Sequence, residues 1–366
     1  MTGLLPVLDL RPLQEGHAAR GVGRYVSMLA DRLPYTDAVV WGHRPLPLAA
    51  SGLNVVAVPG GPSTGRTGWL RDAARSVRRT DLLRRSHAPV LDVRLGPRPR
   101  VVTVLDTIPL RFPELYPAGR LGALRQRSEA VVARHADVVI TISCASAEDA
   151  ERFLGVLSNR IFVVPLAAAP SWPTAAPGRG RLSPEKVRDG RRYVVAAGGF
   201  HDWDPRKRLS DLVRTLPVLP ADVGLVLTGA DGPHTAPLRQ LAAELNVADR
   251  LSFSGQLSEE QLVELYAGAA AFAFPSQWEG FGLPLLEAMS VGLPCVVSDG
   301  GALPEVAGDG ATIVPVGDVE ATGEALLELL VDATRAAEAS VRATTRAADF
   351  DTERFATGHL RAYGAA

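Results

Sequence analysis

The sequence predicts an α/β protein with two parallel sheets, each covered by helices. Short apolar runs alternate with helix-length amphipathic stretches along most of the chain, which is typical of parallel strands joined by crossover helices. A length of 366 residues exceeds the size at which a single hydrophobic core keeps growing, so two domains are expected. The alternation stops near the middle, where proline, glycine and charged residues predominate. We therefore expect two Rossmann-like domains that are joined by a linker and face a cleft.

The amino-terminal domain is predicted over residues 1–170. Its strand candidates are short apolar runs, most of them rich in β-branched residues. They are LLPVLDL from Leu4, AVVWG from Ala38, NVVAVP from Asn54, VVTVLD from Val101, DVVITIS from Asp137 and IFVVP from Ile161. The clearest intervening helices are predicted over residues 23–33, 68–85, 123–135 and 145–154.

The carboxyl-terminal domain is predicted over residues 193–348, after a linker over residues 171–192. It shows a second set of apolar runs in the same alternating order. They are YVVAAGG from Tyr193, VGLVLTG from Val223, LSFSG from Leu251, AFAFPS from Ala271, CVVSD from Cys295 and ATIVP from Ala311. The last residues, 349–366, have a helical pattern of their own.

The composition excludes some classes of partner. The net charge is −1 and charged residues make up 22% of the chain, so nothing in the overall balance indicates a nucleic-acid partner. Residues 66–100 nevertheless contain ten arginines against three aspartates. This segment could face an anionic lipid surface, although such stretches are more often helices with a solvated face. The two cysteines imply no disulfide framework, and no long apolar run occurs, so we expect a cytoplasmic protein, with peripheral membrane contact left open.

The clearest site pattern lies in residues 274–299. An apolar strand is followed by the loop QWEGFG and by a helix that is predicted to begin at Pro284 and end at Gly292. This places Glu279 in the loop and Glu287 in the first turn of the helix. Ligands of doubly wound sheets bind outside the carboxyl ends of the strands, where helix amino termini offer N–H groups to phosphates. Two carboxylates there can hold a sugar and a ribose beside a diphosphate, although an early helical carboxylate can also serve only the helix dipole.

The string Glu-Gly-Phe-Gly-Leu-Pro, followed by Glu-Ala, resembles the signature of retaining glycosyltransferase family 4, which has the GT-B fold. The resemblance implies that Glu279 contacts the donor sugar and that Glu287 hydrogen-bonds the nucleotide ribose. It implies that the backbone approaches the sugar and phosphate at Gly280, Phe281, Gly282 and Leu283. It also implies that the amino-terminal domain binds the acceptor, that the carboxyl-terminal domain binds the nucleotide sugar, and that the last helix crosses back onto the amino-terminal domain.

A glycine turn and three cations occupy residues 198–213, just after the first strand of the second domain. Fixed positive charge in a water-poor cleft would stabilise a departing diphosphate, but an isolated basic loop is often merely solvated. Family 4 has a similar Pro-Arg-Lys segment, and Lys207 falls on its phosphate-binding lysine. The arginine that the family often carries just after the glycine is absent, and Arg206 is the candidate to replace it.

Two further loops match the family. Gly21 and Gly23 are predicted to lie immediately before a helix, in a string similar to the family's Arg-Gly-(Val/Ile)-Gly-Arg-Tyr, whose glycine backbone lies over the donor diphosphate. A bare Gly-x-Gly is weak evidence, since glycine is common in strand-to-helix turns. The backbone around Gly255 resembles the family's base-binding loop. A second glycine turn after Asp299 leads into residues 302–305, which either shape the sugar pocket or form a plain connection.

The string VTVLDTIP at residues 102–109 also resembles the family, with one departure. The family usually has a histidine where this chain has Leu105, and that imidazole would contact the donor sugar near the reacting carbon. Asp106 remains at the end of the strand, where it could bind a sugar or acceptor hydroxyl or simply cap a turn. His87 falls where relatives often have a histidine on the acceptor side, but a lone histidine is weak evidence.

The sequence therefore predicts a metal-independent retaining transferase that moves a hexose or deoxyhexose from a nucleoside-diphosphate sugar to the hydroxyl of a glycan, glycolipid or natural product. The donor is a substrate, and neither a cofactor nor a metal is expected. The candidate catalytic residues are Glu279, Lys207, Arg206 and Asp106. The alternatives are a sugar-nucleotide epimerase or a phosphorylase on the same fold, and a nucleotide-sugar-binding pseudo-enzyme or partner subunit, which Leu105 motivates.

Overall fold

The structure is a computed structural model that describes residues 7–10, 13, 21–33, 37–41, 54–58, 86–89, 101–168, 172, 191–198, 204–229 and 235–366. The chain forms two compact units. Unit 1 comprises Met1–Leu166 and Thr352–Ala366, and unit 2 comprises Ala167–Asp351. Unit 2 thus begins at Ala167 and includes residues 171–192, which the sequence predicts to be a linker. The predicted helix over residues 68–85 and most of the predicted linker lie outside the described residues.

Unit 1 contains a parallel sheet of seven described strands in the order β3-β2-β1-β4-β5-β6-β7. The strands are β1 Val7–Asp9, β2 Asp37–Trp41, β3 Asn54–Val58, β4 Ser86–Pro89, β5 Val101–Val104, β6 Val138–Thr141 and β7 Ile161–Val163. Six of them confirm the predicted runs. Strand β4 was not predicted, because Ser-His-Ala-Pro contains no β-branched residue and ends in a proline.

The helices in the first part of unit 1 are α1 Gly21–Arg32, α2 Ile108–Arg111, α3 Gly119–Arg134 and α4 Cys144–Asp149, which continues as a π-helical turn over Ala150–Leu154. The prediction that Gly21 and Gly23 precede the helix is wrong, because Gly21 opens α1 and Gly23 is its third residue. Glycine can adopt helical dihedral angles at an entropic cost of about 1 kcal/mol relative to alanine, so two glycines do not prevent the first turn from forming.

Unit 2 contains a second parallel sheet, in the order β10-β9-β8-β11-β12-β13. The strands are β8 Arg192–Ala197, β9 Val223–Thr228, β10 Leu251–Phe253, β11 Ala271–Phe274, β12 Cys295–Ser298 and β13 Thr312–Val314. All six confirm predicted runs. The strand order reverses between β8 and β11, and such a switch point is where open α/β sheets bind ligands.

The helices of unit 2 cover this sheet and bury its apolar side chains. They are α5 Leu209–Thr215, α6 Ala236–Glu244, α7 Glu259–Gly268, α8 Leu283–Ser290, α9 Leu303–Ala307, α10 Val319–Val331 and α11 Ala333–Ala347. The core joins strand residues such as Val194 and Leu225 to helical residues such as Leu212 and Leu326. In the part of the chain that is described, no helix is both long and apolar enough to cross a membrane.

The last helix, α12 Thr352–Gly364, belongs to unit 1. The Tyr25 hydroxyl from α1 lies 2.8 Å from His359 Nε2 and 2.7 Å from Thr103 Oγ1 of β5. The Phe355 ring packs edge-on against Tyr25, with 6.1 Å between the ring centroids. These buried contacts attach the carboxyl terminus of the chain to the first helix.

Candidate functional site

The candidate site lies at the carboxyl ends of β8 and β11, on the two sides of the switch point in unit 2. Strand β11 is buried along its length, and the loop that follows it carries Ser276 and Glu279 into the interior, where they are 0% and 8% exposed. The turn that carries Arg206 and Lys207 follows β8. The fold thus brings two segments that lie about 70 residues apart in sequence to the same edge of the sheet.

Three side chains converge on one oxygen of the Glu279 carboxylate. Its Oε1 lies 2.9 Å from Lys207 Nζ, 2.9 Å from Arg206 Nη1 and 2.7 Å from Ser276 Oγ. Burial alone raises the pKa of this carboxyl, but the two cations and the hydroxyl outweigh burial and hold the pKa below its usual value. Glu279 is therefore a fixed anion at neutral pH.

Lys207 is held between this carboxylate and an aromatic face. It ends a short 3-10 turn, Pro205–Lys207, which is capped by the Asp204 side chain through a 3.1 Å bond from the Arg206 N–H. Its ammonium lies 4.5 Å from the centroid of the Phe274 ring. The side chain keeps 15% of its surface exposed, so the cation remains within reach of a ligand.

Arg206 is more deeply buried than Lys207, with 6% exposure. Its Nη2 donates to Asp204 Oδ2 at 2.8 Å, and its Nη1 donates to the carbonyl of Trp278 and lies 3.4 Å from Ser276 Oγ. The Arg206 carbonyl accepts from Gln277 N at 2.7 Å. The alternative of a solvated basic loop is therefore wrong for Arg206, because its guanidinium is bonded to protein groups inside the unit.

A second glycine turn supports the loop from the opposite side. Gly301 forms a parallel bridge with Glu279, and Ala302 N donates to the Glu279 carbonyl at 2.9 Å. A Cβ on Gly301, where φ is +64°, would lie 2.4 Å from that carbonyl oxygen, and one on Gly300 would lie 2.5 Å from the Ser276 carbonyl. The two backbones approach so closely that only glycine fits.

Helix α8 begins and ends earlier than predicted. It spans Leu283–Ser290, so Pro284 is its second residue, and Glu287 lies in the second turn instead of the first. Proline is tolerated there because the N–H groups of the first turn have no intrahelical acceptor. Gly282 precedes the helix with φ +95°, and a Cβ on it would lie 2.6 Å from Leu303 Cδ2. Glu287 is 2% exposed, so its carboxylate belongs to the interior of unit 2.

The other predicted residues of unit 2 lie on surrounding loops. Gly255 has φ +71° and open space where a Cβ would stand, so its backbone conformation is what favours glycine there. It forms an antiparallel bridge with Gly229 after β9. Gly280 and Phe281 lie between Glu279 and α8, and the Phe281 ring packs edge-on against Phe350.

Leu105 and Asp106 directly follow strand β5 of unit 1. Asp106 is exposed, and its Oδ1 accepts from Ile108 N at 3.2 Å, so it does cap a turn. The Leu105 carbonyl accepts from Ser146 Oγ at 3.2 Å. His87 lies in β4, and its side chain lies outside the described part of the structure.

Sequence reasoning missed two groups of polar residues beside these loops. Ser276 bonds the Glu279 carboxylate, and its position at the end of a strand was the available signal. In unit 1, Asp149 accepts from Thr107 Oγ1 at 3.0 Å and from Arg111 Nε at 3.1 Å, which fixes the start of α2 next to Asp106. Asp149 lies inside a helical pattern, so nothing in the sequence marked it as a loop anchor.

The sequence of the chain is similar to the sequences of known glycosyltransferases. Residues 185–347 match the family described as Glycosyl transferases group 1. Over 273 residues the chain is 30% identical to O-antigen chain mannosyltransferase B of Escherichia coli, covering 72% of this chain and 70% of that protein. It is 36% identical over 172 residues to the MMP alpha-(1->4)-mannosyltransferase of Mycolicibacterium hassiacum, covering 46% of this chain and 39% of that protein.

Solved structures show the same fold. A sucrose-phosphate synthase from Thermosynechococcus elongatus superposes with a TM-score of 0.79 at 20% identity, over 99% of this chain and 98% of that one. HepE from Anabaena, solved in complex with UDP and glucose, superposes with a TM-score of 0.75 at 18% identity, over 98% and 99% of the two chains. The predicted GT-B fold is thereby confirmed.

Proposed function

The chain belongs to the group 1 glycosyl transferase family, and we propose that it moves a hexose or deoxyhexose from a nucleoside-diphosphate sugar to an acceptor hydroxyl. The proposed transfer retains the anomeric configuration and needs no metal ion. The observation that carries the proposal is the convergence of Lys207, Arg206 and Ser276 on Glu279 at the switch point of the unit 2 sheet. A cation beside a fixed anion at this edge suits a donor with an anionic diphosphate and a hydroxyl-rich sugar.

In the proposed reaction, the bond between the anomeric carbon and the diphosphate oxygen breaks while the acceptor oxygen bonds to the same face of that carbon. Lys207 stabilises the negative charge that develops on the departing diphosphate. Glu279, held ionised by its cations, accepts a hydrogen bond from a donor sugar hydroxyl. The acceptor proton passes to a donor phosphate oxygen, so the reaction needs no strong enzymic base.

The remaining donor contacts follow from the family. Glu287 is proposed to bind the nucleotide ribose, and the backbone from Gly280 to Leu283 is proposed to approach the sugar and phosphate. Gly255 would contribute backbone groups to the base, and the start of α1, with Gly21 and Gly23, would approach the diphosphate. Helix amino termini favour anions through their unpaired N–H groups, which supports the last of these assignments.

Mannose is the first donor sugar to test, because both relatives compared above are mannosyltransferases. A thermal-shift panel of GDP, UDP, ADP and their sugar conjugates tests the proposal without knowledge of the acceptor. Ligand at 100 times its Kd stabilises the folded protein by about 2.7 kcal/mol, which shifts the melting temperature by several degrees. Stabilisation by one nucleoside diphosphate and its sugar conjugate supports the proposal, and no shift with any of them contradicts it.

The second candidate is a nucleotide-sugar-binding protein without turnover, and Leu105 is the observation that favours it. An aliphatic side chain cannot make the polar contact of an imidazole near the reacting carbon. Steady release of nucleoside diphosphate that depends on an added acceptor would exclude both this candidate and an epimerase. Binding of the donor with no release in the presence of any acceptor would favour the pseudo-enzyme.

A further inference from the structure

We infer that Arg206 positions the Glu279 carboxylate and its loop and does not bind the donor diphosphate, so that two adjacent cations have different roles. The inference rests on the proposed function, because it assigns a role in nucleotide-sugar binding. It differs from the sequence-based hypothesis, in which Arg206 replaces a phosphate-binding arginine.

The guanidinium of Arg206 is already surrounded by acceptors of the protein. It contacts Asp204 Oδ2 at 2.8 Å, Glu279 Oε1 at 2.9 Å and the Trp278 carbonyl. Its side chain is 7% exposed. A phosphate could reach it only if buried hydrogen bonds were broken, and a buried acceptor that loses its donor is costly.

Lys207 is in the opposite situation. Its side chain is twice as exposed, and among the described residues Glu279 is the acceptor recorded for its ammonium. An ammonium carries three donors on a flexible stem, so it can turn toward a phosphate and keep one of its contacts. Lys207 is therefore the cation that can exchange Glu279 for the donor diphosphate.

Arg206 keeps Glu279 in place during that exchange. When Lys207 turns to the diphosphate, the carboxylate still has Arg206 and Ser276 as donors. Both bond to Oε1, and within the described ranges no donor is recorded at Oε2. Oε2 is thus the oxygen that can accept a sugar hydroxyl.

Arg206 also fixes the backbone of the same loop. Its carbonyl accepts from Gln277 N at 2.7 Å and its guanidinium donates to the Trp278 carbonyl. Arg206 therefore joins the turn after β8 to the loop after β11 through both its backbone and its side chain. Arg206→Gln would keep the backbone bond from Gln277 N but would remove the guanidinium contacts with the Trp278 carbonyl and with Glu279, while the Lys207 ammonium would remain.

The test compares the Kd of each nucleoside diphosphate with that of its sugar conjugate, GDP with GDP-mannose and UDP with UDP-glucose, by isothermal titration calorimetry. We expect Lys207→Gln to weaken both members of the better-bound pair by about tenfold or more, and so to leave their ratio unchanged. We expect Arg206→Gln to change the diphosphate Kd by less than about twofold and to weaken the sugar conjugate by about tenfold. Arg214→Gln, which removes an equally positive but half-exposed side chain nearby, should change neither.

A double-mutant cycle separates positioning from mere structural damage. If Arg206 acts through Glu279, the double variant Arg206→Gln/Glu279→Gln should have the same Kd ratio as Glu279→Gln alone. Arg206→Lys, which keeps a charge near the carboxylate, should recover part of the sugar selectivity, and it replaces Arg206→Gln if that variant does not fold.

Failure of the inference and failure of the proposed function give different binding results. If Arg206→Gln or Arg206→Lys weakens the bare diphosphate as much as Lys207→Gln does, Arg206 binds phosphate and the inference is overturned while the proposed function stands. If the wild-type protein binds neither these four nucleotides nor ADP and its sugar conjugates, the proposed function is overturned together with the inference.

Discussion

At the carboxyl edge of the unit 2 sheet, Glu279 is 8% exposed and accepts bonds from three side chains, whereas Asp106, at the carboxyl end of β5 in unit 1, is exposed and accepts from the backbone of its own turn. The first carboxylate is held at a fixed position and charge before any ligand arrives. Preorganised groups of this kind can stabilise a transition state without reorganising. The comparison shows that unit 2 holds a buried carboxylate in place through side-chain donors, whereas the carboxylate of Asp106 is exposed and caps a turn.

Of the substitutions considered, Gly301→Ala should lower the free energy of unfolding the most. The added Cβ would stand 2.4 Å from the Glu279 carbonyl in a left-handed backbone conformation, so we expect a loss of about 3 kcal/mol or more in unfolding free energy, measured by chemical denaturation. Gly119→Ala is the matched control, because φ is +60° there but the Cβ would enter open space. Similar losses in the two variants would show that the close approach to Glu279 has no energetic weight.

The burial of His359 in unit 1 should make the free energy of unfolding depend on pH in the acid range. Burial lowers the pKa of His359 to about 4 from an ordinary 6.5, although its bond to the Phe355 carbonyl opposes this. The unfolded chain then binds the proton more tightly, so stability is complete above about pH 6.5 and falls by roughly 3 kcal/mol as the pH approaches 4. Unfolding of His359→Gln, measured over the same pH range, should lack this part of the slope, and an unchanged slope would contradict a neutral buried imidazole.

Tyr25→Phe tests the same contacts at neutral pH. The variant leaves His359 Nε2 and Thr103 Oγ1 buried without the hydroxyl that now bonds both. We expect a loss of about 1–3 kcal/mol in unfolding free energy, measured by chemical denaturation at pH 7. A change below about 0.5 kcal/mol would show that the hydroxyl does not hold α1, β5 and α12 together.

Asp106→Asn should have the smallest effect on stability. The amide oxygen can still accept from Ile108 N, so we expect a change within about 0.5 kcal/mol. If Asp106 also binds a sugar or acceptor hydroxyl, transfer activity falls while stability does not. Unchanged stability together with unchanged transfer would leave Asp106 with its turn-capping role alone.

Features that depend on neighbouring residues in the sequence could be predicted, whereas features that depend on contacts between distant segments could not. Strands such as β8 and β11 could be predicted because their apolar runs are a local pattern, while β4 could not because its pairing depends on neighbours. Glu279 and Lys207 could be proposed from the sequence because a local string and a cation-rich turn mark them. The burial of Arg206 could not be found in this way, since it depends on the approach of two loops that are distant in sequence.

The first residue of α8, the helix that follows Glu279, could not be predicted from the sequence alone. Pro284 was assigned as the first residue because proline favours that position, but the second position satisfies the same rule. A shift of one residue moved Glu287 from the first helical turn to the second. Local rules of this kind place an element reliably and its ends only approximately.

Binding of the donor diphosphate by Lys207 at the switch point of the unit 2 sheet can be seen in a crystal structure of the protein with the better-bound of GDP and UDP. We expect Lys207 Nζ about 3 Å from a phosphate oxygen, with Arg206 still bonded to the Trp278 carbonyl and to Glu279. A diphosphate bound away from this edge, or contacted by Arg206 while Lys207 stays on Glu279, would contradict this expectation.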